Sequence, residues 1–304
     1  MATVSAMFVG SYRLLYQLRQ GRFTQVWTAI DDNRGIRYAV KLLLPEFHDD
    51  REQLADFAHE LEVGVTLDHP RVLGAKKQGD SRHGPYLLMD YCEGRDLRDL
   101  MRRDRFALQP WLPSILVQAV EAVVYLHSRN WVHLDIKPDN YLLDAGGDVR
   151  LIDYGLARRP PGSWERWFWK NRQKAIQGTR SYLSPEQIRR EPIDFRSDLY
   201  SLGCTLYHLA AGVPPFTAST TNELLTKHLL YPIPNAATDN PELTPDFAEL
   251  LRRMMAKNPE HRLATAADVL KQLTNFKVLK SQQAPRQSTE FREVSPGRSP
   301  RKSG

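Results

Sequence analysis

Residues 133–140 read HLDIKPDN and residues 153–155 read DYG. The first stretch follows a long segment, residues 111–127, whose apolar spacing predicts a helix. Two short apolar runs, residues 141–143 and 149–152, lie between the two stretches and predict strands. The sequence therefore sets an acid, a cation and an amide in a loop between helix and strand, and a second acid directly after the next strand.

These side chains are the types that phosphoryl transfer to a hydroxyl requires. The reaction needs a carboxylate that orients the hydroxyl and accepts its proton, a cation near the moving phosphoryl group, and oxygen ligands for magnesium. Asp135, Lys137 and Asn140 match these three needs, and Asp153 offers a second magnesium ligand. Each stretch alone is compatible with a charged turn, but the pair in this order resembles the catalytic loop and metal-binding motif of the protein kinase family.

Hydrophobic patterning predicts a small β-rich part followed by a larger α-rich part. The predicted strands of the first part are residues 12–18, 25–30, 38–43, 72–76 and 86–89, with one helix at 51–67. The predicted helices of the second part are residues 111–127, 194–211, 220–228, 245–255 and 264–275. With the resemblance, this order implies an α+β, two-lobed protein-kinase-like fold. We expect a kinase domain over residues 1–276, with an N-lobe at 11–90 and a C-lobe at 95–276.

The resemblance covers nearly the whole folded part and implies a site for ATP and Mg2+. Lys41, in Ala39-Val40-Lys41, would hold the α- and β-phosphates, with Glu60 as its partner and Glu62 as the competing choice. Asn140 and Asp153 would hold the metal.

The stretch 88–94 resembles the hinge between kinase lobes, which binds adenine through its backbone. The Asp90 carbonyl and the Cys92 amide would make these bonds, and Met89 would line the back of the pocket. Asp96 is placed to meet the ribose or, alternatively, to cap a helix. Gly21, Val26 and Ala39 are the remaining residues that the resemblance assigns to the nucleotide site.

Residues 178–186, GTRSYLSPE, resemble the peptide-docking segment of protein kinases. The resemblance implies that Thr179 bonds Asp135 and Lys137, which would select serine or threonine hydroxyls of a protein substrate. It also implies structural roles for Arg262 as the partner of Glu186, and for Asp198 as a brace of the catalytic loop. A small-molecule kinase is disfavoured because such enzymes lack the docking segment.

The sequence departs from the family at the phosphate-covering loop and at the contact between the lobes. The loop, residues 19–24, keeps only Gly21 of the usual three glycines, and the side chains of Arg19 and Thr24 stiffen the turn. Weaker nucleotide use, or a pseudokinase that acts as a nucleotide-binding scaffold, is the alternative that this loop supports. Gly64 and Tyr154 also differ from the family, and steric compensation between them is one hypothesis.

Leu134 replaces the arginine that in many kinases binds a phosphate on the activation segment. From residue 156 to residue 178 the only hydroxyl side chain is Ser163. We therefore expect activity without phosphorylation of this segment, unless Arg158 or Arg159 replaces the missing arginine. The segment's aromatic residues, Trp164, Trp167 and Phe168, have helical spacing and are expected to pack on the large lobe, with stacking on nucleic acid bases as the alternative.

Composition indicates a soluble, cytoplasmic protein that does not bind nucleic acid. The net charge is +6, but residues 276–304 hold seven cations and two anions, so +5 of it lies there and +1 on the other residues. Phosphate-backbone binding would need clustered cations on the folded part. No long apolar run predicts a membrane span, and two cysteines make no disulfide framework. Residues 277–304 are expected to form a basic, disordered tail.

Overall fold

The structure, a computed structural model, describes residues 7–104, 108–162 and 178–281. The N-terminal part is an antiparallel sheet with strand order β1-β2-β3-β4-β6-β5 and one helix. Its elements are β1 (Phe8–Val9), β2 (Tyr12–Gln20), β3 (Thr24–Asp31), β4 (Ile36–Leu43), α1 (Arg51–Gly64), β5 (Ala75–Gly79) and β6 (Tyr86–Asp90). Asp50 caps the start of α1, because its carboxylate accepts hydrogen bonds from the backbone N–H groups of Glu52 and Gln53.

The C-terminal part is mostly helical, with one three-stranded sheet of order β7-β8-β9. The sheet consists of β7 (Gly94–Asp96), β8 (Tyr141–Asp144) and β9 (Val149–Leu151). The helices are α2 (Leu97–Asp104), α3 (Leu112–Ser128), α4 (Pro185–Arg189), α5 (Phe195–Ala211), α6 (Thr221–Leu230), α7 (Ala236–Asp239), α8 (Pro245–Met254) and α9 (Ala266–Asn275). Helix α5 is buried along almost its whole length, so it forms the centre of the C-lobe core.

This architecture confirms the predicted α+β, two-lobed fold with one helix in the N-lobe. The five elements that patterning missed, namely β1, β7, α2, α4 and α7, are two to eight residues long, and their sequences do not form an extended apolar run or several turns of a clear period. The strand predicted at 72–76 begins later, at Ala75, because Val72 forms only a single bridge to Leu151. In the described part of the chain, no helix has the length and apolarity that crossing a membrane requires.

The predicted end of the folded part at Phe276 is too early. Val278 and Leu279 are 2% and 7% exposed, respectively, and belong to the C-lobe core. Their backbone is also bound, since Thr244 N–H donates to Val278 O over 3.0 Å and Lys280 N–H donates to Glu242 O over 2.8 Å. Two apolar side chains among polar neighbours gave too weak a pattern to show this from sequence. The folded part therefore extends at least through residue 281, and residues 282–304 lie outside the described residues.

Gly64 is required by the close approach of α1 to β5. A Cβ atom at this position would lie 2.5 Å from Ala75 Cβ and 2.7 Å from Ala75 N. The Tyr154 ring instead packs edge-on against His133, with 5.6 Å between ring centroids, and its hydroxyl donates to Leu151 O over 2.7 Å. The hypothesis that Tyr154 compensates for Gly64 is therefore wrong, because Ala75 occupies the space beside Gly64.

Candidate active site

The catalytic loop is held by a carboxylate from the C-lobe core. Asp198 on α5 is fully buried and accepts hydrogen bonds from His133 N–H (2.7 Å) and Leu134 N–H (2.9 Å). His127 Nε2 donates to the same carboxylate over 2.9 Å. Leu134 has φ 66°, in the left-handed region that costs energy for a branched side chain, and the two Asp198 bonds stabilise that conformation. The geometry agrees with the bracing role expected of Asp198.

Asp135 lies at the centre of a hydrogen-bonded cluster. Its Oδ1 accepts from Thr179 N–H over 2.9 Å, and its Oδ2 accepts from Lys137 Nζ over 2.5 Å and from Asn140 Nδ2 over 3.3 Å. Lys137 Nζ also donates to Thr179 Oγ1 over 2.7 Å. The catalytic loop and the peptide-docking segment therefore meet at Asp135, as the sequence led us to expect.

Two oxygen groups, one of the buried Asn140 and one of Asp153 in the cleft, are suited to a magnesium ion. Asn140 Oδ1 is buried and has no hydrogen-bond partner among the described residues, an arrangement that is costly unless a ligand such as a cation binds there. The positive charge of Lys41, 3.4 Å away, lowers the pKa of Asp153 to about 2, so this carboxylate is ionised at neutral pH. Magnesium is typically bound by one or two protein oxygens together with substrate phosphates, and Asn140 and Asp153 fit that pattern.

Glu60, and not Glu62, is the partner of Lys41. Lys41 Nζ donates to Glu60 Oε2 over 2.7 Å, and the Glu60 side chain is buried. Glu62 is largely exposed and lies 3.7 Å from His59. Burial lowers the pKa of Lys41, but the charges of Asp153 and Glu60 outweigh it and raise the pKa above its ordinary value. Lys41 is therefore held as a cation between the two lobes.

The residues expected to contact the nucleotide line one cleft between the lobes, part of a cavity of about 2280 Å³. Those that line it are Gly21, Val26, Ala39, Lys41, Glu60, Met89, Asp90, Cys92, Asp96 and Asp153. The Cys92 N–H has no hydrogen-bond partner among the described residues, as a hinge donor to adenine requires. Asp96 Oδ1 accepts from Asp99 N–H over 2.7 Å, so this residue caps α2 and also faces the cleft.

A buried ion pair holds the docking segment against the C-lobe. Arg262 donates two hydrogen bonds to Glu186, of 2.7 and 2.8 Å, and Ser197 Oγ donates a third over 2.7 Å. The Arg262 side chain is fully buried and that of Glu186 is 4% exposed. Because a charge left alone at such a depth is costly, the pair ties the segment that follows Thr179 to the chain before α9, and Ser197 ties it to α5.

Leu134 fills an apolar cluster where many kinases have a phosphate-binding arginine. It is 8% exposed and packs with buried Val132 and Ile193, against partly buried Leu156 and Phe195. Leu156 opens the activation segment, so this cluster packs the start of that segment on the C-lobe.

Both cations that were considered as replacements for the arginine make contacts with neighbouring groups. Arg158 Nη1 donates to Ala157 O over 2.8 Å, and the Arg159 guanidinium lies 4.3 Å from the centre of the Trp131 ring. Ser163, Trp164, Trp167 and Phe168 lie outside the described residues, so their expected packing stays a prediction.

Sequence reasoning missed His59, which connects α1 to the activation segment. Its Nε2 lies 2.6 Å from Ala157 O, and a carbonyl only accepts, so this nitrogen carries the proton. His59 precedes Glu60 on α1, so the bond helps to keep the helix where Glu60 meets Lys41. The only signal in the sequence was a histidine beside the candidate glutamate, and the carbonyl partner 98 positions away could not be read from it.

Comparisons with known proteins agree with this geometry. The family described as protein kinase domain matches residues 12–274. A probable serine/threonine-protein kinase of Streptomyces coelicolor is 32% identical over 264 residues, covering 86% of this chain and 39% of the relative. Serine/threonine-protein kinase PknB of Mycobacterium tuberculosis is 30% identical over 289 residues, covering 93% of this chain and 46% of the relative. The chain thus spans less than half the length of these curated relatives.

Proposed function

The chain belongs to the protein kinase family, and from this premise we propose that it is an active serine/threonine kinase that transfers the γ-phosphate of ATP to protein hydroxyls. The observation that carries the proposal is the cluster in which Asp135 meets both Lys137 of the catalytic loop and Thr179 of the docking segment. This joins the residues that would perform the chemistry to the segment that would present the acceptor peptide.

Asp135 is the proposed catalytic base. Its carboxylate would orient the acceptor hydroxyl and take its proton as the oxygen attacks phosphorus. Lys137, bonded to both Asp135 and Thr179, would place a positive charge beside the transferring group. Thr179 keeps Asp135 close to the docking segment, which supports the selection of serine and threonine hydroxyls.

Lys41 is proposed to bind the α- and β-phosphates, with Glu60 fixing its position. Asn140 and Asp153 would hold magnesium, which when bound neutralises charge on the phosphate oxygens. The unpartnered Oδ1 of Asn140 and the ionised Asp153 support this assignment. Adenine would bind the backbone of Asp90 and Cys92, with Met89, Val26 and Ala39 lining its pocket.

Transfer of radiolabel from ATP to a generic basic protein tests the proposal. Asp135→Asn and Lys41→Met should remain folded and slow the transfer by about a hundredfold or more, because loss of a general base costs roughly 10²- to 10⁴-fold. Asp148→Asn makes the same chemical change as Asp135→Asn at a half-exposed loop position and should keep the wild-type rate.

One alternative is a pseudokinase, which the single remaining glycine of the loop favours. Such a protein would bind nucleotide but transfer no label, whereas a small-molecule kinase would label a small alcohol and no protein. Near-normal rates in both Asp135→Asn and Lys41→Met would refute the assigned roles.

A further inference from the structure

Arg19 faces the nucleotide cleft. The strand registers pair Arg19 with Val26 and Val26 with Lys41, which forms one row across β2, β3 and β4. Directly opposed residues of antiparallel strands point to the same face of a sheet, and Lys41 reaches Asp153 in the cleft. The Arg19 side chain therefore emerges on the same face as the proposed phosphate-binding lysine.

The neighbouring row supports this orientation. Gln20 pairs with Gln25, and Gln25 pairs with Leu42, which is fully buried in the N-lobe core on the other face of the sheet. Because side chains alternate along a strand, Arg19 points away from that core. Two strand spacings separate it from Lys41, about 10 Å between backbones, so the two cations flank one stretch of the cleft.

Arg19 is also an uncommitted cation. It makes no hydrogen bond or ion pair within the described ranges 7–104, 108–162 and 178–281, whereas Lys41 is bonded to Glu60 and to Asp153. Burial raises the pKa of Asp96, and the positive charge of Arg19 opposes that rise. Arg19, Asp96 and Asp153 all line the cleft in which the nucleotide would lie.

The loop lacks two of the three glycines that normally let its backbone approach phosphate closely. Glycine-rich loops bring backbone N–H groups close to phosphate oxygens, and the side chains of Arg19 and Thr24 replace two of the three glycines here. A guanidinium offers a planar fork of N–H donors that matches phosphate geometry. This inference rests on the proposed function: we propose that Arg19 binds the phosphate chain of ATP and compensates for the two glycines that this loop lacks.

Binding calorimetry on the Arg19→Gly variant tests the proposal, because the two possible roles of Arg19 predict opposite changes in ATP affinity. If Arg19 binds phosphate, the variant should bind ATP and ADP about tenfold more weakly, as expected for loss of a charged hydrogen bond, and adenosine with unchanged affinity. If Arg19 merely obstructs the loop, restoring glycine should tighten ATP binding. Arg19→Lys should give an intermediate affinity, since it keeps the charge and loses the fork.

Arg13→Gln is the matched control. Arg13 also lies on β2, but it is paired with Asp32 outside the cleft. The Arg13→Gln variant loses one positive charge, as Arg19→Gly does, and should bind ATP with unchanged affinity. Titrations with and without Mg2+ need no catalysis, and melting curves confirm that each variant is folded.

Two sets of results would overturn the proposal, and they differ in what else they imply. Unchanged or tighter ATP binding by Arg19→Gly, or an equal loss for adenosine, overturns the role of Arg19 and leaves the kinase assignment intact. Wild-type protein that binds no nucleotide overturns both.

Discussion

Removal of phosphate from the activation segment should leave this kinase active. Leu134, in place of a phosphate-binding arginine, packs with buried Val132 and Ile193 and with Leu156, the residue that opens the segment. An added phosphate would find no arginine at position 134, whereas the apolar cluster orders the start of the segment without any charge. We therefore expect packing, and not phosphate, to order the start of the segment.

The size of the packing contribution can be worked out from Leu134. The residue is 8% exposed, and a buried Leu→Ala change typically costs about 2 to 5 kcal/mol. We expect Leu134→Ala to lower the free energy of unfolding by an amount within that range. We also expect it to lower peptide kcat/KM by at least about fivefold, which corresponds to a free-energy change of about 1 kcal/mol. Leu134→Met nearly conserves volume and should cost less than about 1.5 kcal/mol.

The assay compares initial rates of peptide phosphorylation. Wild-type protein treated with phosphatase, and Ser163→Ala, should each stay within about twofold of untreated enzyme in kcat/KM. Ser163 is the only hydroxyl side chain from residue 156 to residue 178, so its alanine variant cannot be phosphorylated again on that stretch. If both preparations lose most of their activity while Leu134→Ala keeps it, the packing explanation is wrong.

Three further predictions follow from buried positions. Gly64→Ala should lower the free energy of unfolding by about 1 to 3 kcal/mol and reduce kcat, because the added Cβ would clash with Ala75 and displace α1. An unchanged free energy of unfolding in denaturation curves, with an unchanged kcat, would contradict the close approach of α1 to β5. Deleting residues 282–304 should leave the melting temperature unchanged, whereas deleting 277–304 should lower it, since two buried side chains are lost; equal melting temperatures would show that residues 277–281 do not stabilise the fold. Burial lowers the pKa of His208 to about 4 in the folded protein. As pH drops from about 6.5 to 4, the histidine therefore binds a proton in the unfolded chain but not in the folded protein. The free energy of unfolding should fall over this pH range. His208→Gln should flatten that fall in denaturation curves recorded across this pH range, and a slope equal to wild type would exclude the histidine as its source.

The parts of the site that could be predicted are those whose chemistry is local in sequence. Asp135, Lys137 and Asn140 lie within six residues, and together with the DYG stretch that follows they indicated the chemistry. Long elements such as α3 and α5 were predicted because several turns of apolar spacing give a clear period.

What could not be predicted depends on distant partners. The bond from His59 to Ala157 joins positions far apart in the chain, and the contact of Gly64 with Ala75 depends on how a helix meets a strand. The resemblance to the family already favoured Glu60 over Glu62 as the partner of Lys41, but the residues alone did not show which face of α1 turns toward the sheet. Tertiary packing decides such details, and no periodicity in the sequence records them.

Asp198 makes the conformation of the catalytic loop independent of the N-lobe. Because a buried carboxylate on α5 holds the backbone of His133 and Leu134, the conformation around Asp135 is set by the C-lobe alone. The loop at residues 19–24 belongs to the opposite lobe and makes no part of that brace. A protein engineer could therefore exchange the loop to alter phosphate binding while leaving the groups around Asp135 in place, and treat the donor side and the acceptor side as two separate design problems.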